Sequence, residues 1–272
     1  MKKLLTVALI LLVAFTVVAC TADEPAATTT AATTTTAPAT TTAPAVTEDI
    51  NAKSEGVLTY EQYVAAEMDT EVVIEAYIQA TQVYSEQYGN TSIYAQDGQG
   101  AYFIYRYACT AEDYAKLVKG AKIRVTGTKT SWSGEVEIAE VTKLEILEGN
   151  YVAPVTDVTE LLGKDELVNK QNMLGSFKNL TVAASTIKDD ATEYAFLYNW
   201  DGSGTDGSDI YFNVTDGTNV YTFVVETDLC PATSDVYAAV KALKVGDKID
   251  VEGFLYWYNG IQLHTTAVAA AQ

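Results

Sequence analysis

The chain has 272 residues, and its 36 acidic side chains against 17 basic ones give a formal charge of −19. Nucleic-acid affinity comes largely from neutralising phosphates, so the overall field opposes a polyanion and suits solubility at a surface or attraction of cations. Three cysteines and one histidine supply neither a disulfide framework nor the ligand spacing of a zinc site.

The first 20 residues, MKKLLTVALILLVAFTVVAC, place two lysines before an apolar run that is too short to span a bilayer. Charged start and apolar middle are those of a secretion signal, residues 1–19. The end, Val17-Val18-Ala19-Cys20, resembles the lipobox of bacterial lipoproteins. That resemblance implies diacylglyceryl transfer to the Cys20 sulfur and cleavage after Ala19. The chain is then anchored at the extracytoplasmic face of the cell membrane. Each buried CH₂ of such acyl chains contributes about 0.8 kcal/mol. Residues 20–50 are dominated by Thr, Ala and Pro, have almost nothing large and apolar to bury, and read as a disordered tether.

Two units follow, residues 54–149 and 150–272. In the first, TYEQYVAAEM is a helical lead-in and EVVIEAYIQATQVY a long alternating strand with small Ala76 at its middle. TSIYAQD and AYFIYRYAC flank the hairpin signal DGQG. TAEDYAKLVKG predicts a helix that Thr110 caps and Gly120 ends. KIRVTGTKTSW and VEIAEVTKLEIL complete five strands. The second unit repeats the order: a lead-in helix in LLGKDELVNKQNML, then strand SFKNLTVAASTI and a long loop. DIYFNVTD and VYTFVVETDLC follow as strands, TSDVYAAVKALKVG as a helix, and DKIDVEGFLYWY and IQLHTTAVAAA as the closing strands. Glycines recur at a fixed offset of 126 residues: Gly120 with Gly246, Gly127 with Gly253, Gly134 with Gly260. Cys109 and Cys230 hold equivalent places and are expected to be buried free thiols. Three strands, a helix and two strands is the order of an OB-fold. The expected class is therefore mainly β, with two consecutive OB-fold-like five-stranded Greek-key barrels, each with a helix between strands 3 and 4.

Anchor, tether and paired barrels together resemble the tandem OB-fold lipoproteins of Gram-positive, clostridia-like bacteria. That resemblance specifies architecture and implies no activity.

No nucleophile motif, zinc spacing or phosphate-cradling loop is present, so the expectation is a binding protein without catalysis or a required cofactor. His264 reads as a strand side chain near the barrel end. OB-folds bind ligands on strands 2 and 3 and on the loops joining strands 1–2 and 4–5. With Ile93, Ala95, Tyr102 and Ile104 inward, alternation turns Tyr94, Phe103, Tyr105 and Tyr107 outward, with Trp132 beside them. Trp257 and Tyr258 hold the corresponding place in the second unit, and Trp200 lies in its long loop. Such rings stack on sugars or bases; their other use is to pack against the second unit or the lead-in helix. A Gly-rich loop offers Asp201, Ser203, Thr205, Asp206 and Asp209 as oxygen ligands for Ca²⁺, although it departs from the EF-hand pattern. The ligand expected is a glycan, a cell-envelope polymer or a protein partner. An oligonucleotide-binding module and a structural spacer are the alternatives.

Overall fold

A computed structural model describes residues 49–271. The signal sequence, Cys20 and nearly all of the Thr/Ala/Pro segment lie outside the described residues. Helix α1 (Tyr60–Ala65) opens the fold, and Thr59 and Gln62 form a reciprocal capping box at its start. Strands β1 (Thr70–Thr81), β2 (Asn90–Gln96) and β3 (Ala101–Ala108) follow, then α2 (Ala111–Tyr114), β4 (Ala121–Trp132) and β5 (Glu135–Asn150).

These five strands close in the order β1-β2-β3-β5-β4, with β3 and β5 parallel. Closure depends on β1 serving both neighbours. Residues Thr70 to Tyr77 pair with β4, and from Tyr77 onward the strand pairs with β2. The small side chain of Ala76, fully buried, sits where the strand changes partners. Inward residues Ile74, Ile78, Ile93, Ala95, Tyr102, Ile104, Ile123, Val125 and Ile138 fill the barrel. Each large side chain so buried contributes about 1.5–3 kcal/mol.

The second barrel repeats this plan. After the two-residue strand β6 (Thr156–Asp157) come β7 (Leu174–Ala183), the short β8 (Leu197–Tyr198), β9 (Ile210–Thr215) and β10 (Val220–Val225). Helix α3 (Asp235–Lys241), β11 (Lys248–Trp257) and β12 (Ile261–Ala270) complete it. The β7–β9 pairing closes the ring β7-β11-β12-β10-β9, the same circuit as in the first barrel. Phe177, Phe212, Phe223, Val225, Ile249, Val251 and Leu255 form its core. The structure is thus mainly β, with two OB-fold-like five-stranded barrels, each carrying a helix between its third and fourth strands.

The repeated glycines serve this plan. Gly120 and Gly246 adopt φ of +90° and +94° just before β4 and β11, a region open to glycine. Gly127 and Gly253 sit at the register shifts of the two β4–β5-type hairpins, where a Cβ would run into the partner strand's backbone.

Three local differences from the sequence expectation have physical causes. Helix α2 stops at Tyr114 because the next bonds tighten to three-residue turns, Leu117 N–H donating to Tyr114 O (2.9 Å), which buries Leu117. The second lead-in forms two 3₁₀ segments, Thr159–Leu161 and Asp165–Lys170, separated at Gly163 with φ +78°. Cys109 and Cys230 are free thiols, half-buried where full burial was expected.

Candidate ligand-binding cleft

The outward face of β2 and β3 in the first barrel is covered by the second barrel. Tyr94 is 0% exposed and Phe103 3%. Both point out of their own barrel as alternation requires, but Tyr94 stacks on Phe254, ring centroids 4.1 Å apart and planes 8° apart. Phe103 meets Tyr256 edge-on at 5.6 Å. Polar bonds rim this contact: Gln82 Nε2 donates to Glu226 Oε2 (2.9 Å) and Leu174 N–H to Gln96 Oε1 (3.1 Å). Tyr94 and Phe103 are therefore joint residues with no free ring face for a ligand.

Tyr105 is half-buried against Phe103, with the Arg106 guanidinium over its ring at 4.9 Å. Tyr107 is a correction to the alternation. Arg106 adopts φ +46° in a bulge where Tyr105 and Arg106 together face Ser92, and the phase flips beyond it. The Tyr107 ring consequently packs on the first barrel's core. Trp257 is likewise turned inward onto the second barrel's core, its backbone N–H donating to Glu135 Oε2 (2.8 Å).

The other three predicted rings converge. Trp132 at the end of β4 is 55% exposed, Trp200 in the turn after β8 is 75% exposed, and Tyr258 after β11 is 48% exposed. They line one cleft of about 530 Å³, a volume usual for small-ligand sites. Trp132 and Tyr258 lie 5.3 Å apart, and Asn259 N–H donates to Ser133 O (2.6 Å), tying the two hairpin tips together. Trp200 is presented by β8, which pairs with β9 through Leu197 and Tyr198. The cleft thus occupies the strand 2 face and loop tips of the second barrel, with one ring donated by the first.

Its floor holds residues that periodicity did not single out: Tyr211, Glu226, Tyr256, Gln262 and His264. Tyr211 and Tyr256 were within reach of sequence reasoning, as outward residues between inward Ile210 and Phe212 and between Leu255 and Trp257. The single histidine is buried, and its ring stacks on Tyr256 at 4.1 Å. His264 Nδ1 lies 2.7 Å from Tyr94 Oη and 3.0 Å from Glu226 Oε2. Burial pushes the Glu226 carboxyl up, but His264 and the Gln82 amide outweigh it and hold the carboxyl below its ordinary value. Glu226 is the one carboxylate among the cleft's lining residues.

The Gly-rich loop sends its carboxylates to separate partners. Asp201 Oδ1 accepts from Ser203 N–H (3.0 Å), and Asp206 Oδ1 accepts from Lys241 Nζ (2.7 Å) and Tyr198 Oη (3.2 Å). Asp209 Oδ1 accepts from both the N–H and the hydroxyl of Thr227, each at 2.7 Å. The Ser203 hydroxyl lies beside the Asn199 amide, and Thr205 N–H donates to Ser208 Oγ. Among the described residues, no three His, Cys, Asp or Glu side chains come together to hold a metal ion.

No protein-family model and no curated protein matches the sequence. Solved structures align with it only at low similarity. A murine DNA-binding protein bound to double-stranded DNA aligns at 12% identity and TM-score 0.33, over 73% of this chain and 99% of that one. The tetrameric p202 HIN2 domain aligns at 11% identity and TM-score 0.30, over 76% and 96%. The Entamoeba histolytica asparaginyl-tRNA synthetase aligns at 15% identity and TM-score 0.28, over 38% of this chain and only 25% of the synthetase. Similarity this low carries nothing about ligands, and the fold rests on the strand circuit itself.

Proposed function

We propose that the protein is a non-catalytic binding lipoprotein, held by Cys20 at the extracytoplasmic face of the membrane, whose second barrel takes a glycan of the cell envelope. The observation that carries this reading is the convergence of Trp132, Trp200 and Tyr258 over one cleft. Exposed rings offer flat apolar faces to the C–H face of a sugar, and Glu226 and Gln262 on the floor can bond its hydroxyls. Bases stack on such rings equally well, but a phosphate chain would run beside the Glu226 carboxylate and against the chain's formal charge of −19. This favours a neutral saccharide over the oligonucleotide alternative. The signal and lipobox sequence, with the Thr/Ala/Pro tether, support display away from the membrane surface.

Calorimetric titration with cell-envelope oligosaccharides and with an oligo-dT strand at low salt tests the assignment. Saccharide binding should weaken about 30-fold in Trp200→Ala, the loss expected for truncating a central ring worth about 2 kcal/mol. Tyr105→Ala should bind like the parent, because its ring faces the joint. Binding of oligo-dT through the same rings would move the assignment to the oligonucleotide reading. Binding of neither ligand would leave a partner-binding or spacer role.

A further inference from the structure

A second cavity, of about 570 Å³, opens away from the aromatic cleft, between α1, the start of β5 and the 3₁₀ segment Asp165–Lys170. Its rim carries three exposed apolar side chains, Val64, Met68 and Val168, beside the exposed Glu61 and Asn169. Its floor is polar and unusually incomplete. Tyr63 and Asn172 both line it, both are more than nine-tenths buried, and Tyr63 Oη and Asn172 Oδ1 have no hydrogen-bond partner. The Asn172 amide is oriented by Nδ2 donating to Val136 O (3.2 Å), which fixes Oδ1 as the free end. Buried polar groups are nearly always satisfied, so two unsatisfied atoms on the walls of one cavity point to something that completes them.

The other buried polar groups of the floor, Lys129 and Gln171, narrow what that is. Lys129 Nζ is used up by the carbonyls of Tyr63, Val64 and Ala66, at 2.7 to 3.0 Å. Gln171 is also spent, accepting from Val136 N–H and donating to Gly134 O. A cationic head group would meet the Lys129 ammonium, and an anionic one would set acceptor against acceptor at Asn172 Oδ1. A hydroxyl accepts from Tyr63 and donates to Asn172, and an apolar body fits the valine and methionine walls. We propose that this cavity is a second ligand site, separate from the aromatic cleft, for a neutral hydroxyl-bearing apolar molecule such as a phenol or an alcohol.

The test uses the full-length protein with p-cresol as probe and p-xylene as its hydroxyl-free counterpart, followed by NMR titration. p-Cresol should bind saturably, and p-xylene at least ten-fold more weakly. Tyr63→Phe should weaken p-cresol at least ten-fold while melting no lower than the parent, because the hydroxyl it removes has no partner. Val168→Trp, at an exposed rim position, should block p-cresol without unfolding the chain. Equal affinity for p-cresol and p-xylene overturns the proposal. So does an absence of saturable binding, or full p-cresol binding by Val168→Trp.

Discussion

Phe254→Ala is expected to lower the unfolding free energy by about 3–5 kcal/mol, the range for truncating a buried phenylalanine. The residue lies in neither barrel's main core. It belongs to a separate cluster with Tyr94, Phe103 and Leu174, 2% exposed and stacked flat on Tyr94. Such a pair is worth about 0.5–1.5 kcal/mol beyond the area it buries. Its loss leaves a void at the joint while the cores around Ile74 and Phe212 stay intact. The expected signature is therefore a single denaturant transition splitting into two, one per barrel. Phe254→Leu, which keeps most of the volume, should lose much less. A change under about 1 kcal/mol with one sharp transition would mean that the joint is held chiefly by its polar rim instead.

Alternation along β2 and β3 made the barrel interior legible, because a period of two assigns each residue to a face. It placed Ile93, Ala95, Tyr102 and Ile104 inside, where they are. It also turned Tyr94 and Phe103 outward, but a face carries no information about what covers it. Their partners, Phe254 and Tyr256, come from the other barrel. Tyr107 escaped the pattern because a non-glycine residue, Arg106, takes the left-handed conformation that shifts the phase. The cleft was legible only in pieces. Trp132, Trp200 and Tyr258 stood out in separate stretches, at a strand end or in a loop, and only the docking of two barrels brings them together. His264 was least readable of all: its partner Tyr94 is 170 residues away in sequence, so no local pattern could mark the residue as part of a network.

Glu135→Gln is expected to remove most of a decline in stability that the parent shows between pH 5 and 8. The carboxyl is fully buried at the joint, and burial, together with the nearby Glu137 carboxylate, pushes its pKa up to about 8 from 4.5. The Asn172 amide and the Trp257 N–H oppose that rise only in part. Between those two values the folded chain holds a proton that the unfolded chain has released. The contribution is therefore complete below pH 4.5 and is lost as pH rises through 8, at up to about 1.4 kcal/mol per pH unit. Glu137, raised by burial against the pull of Arg106, adds a smaller slope of the same sign. Glu226 works in the opposite direction, since its lowered carboxyl contributes stability that disappears only as pH falls below the ordinary carboxylate range. The glutamine keeps a carbonyl oxygen for the Trp257 N–H and carries no charge to desolvate. Urea unfolding at pH 5 and pH 8 should thus find Glu135→Gln close to the parent at the lower pH and more stable, on the order of 2 kcal/mol, at the higher. Parallel pH profiles for the two proteins would show that the Glu135 carboxyl ionises in place, with water reaching the joint between the barrels.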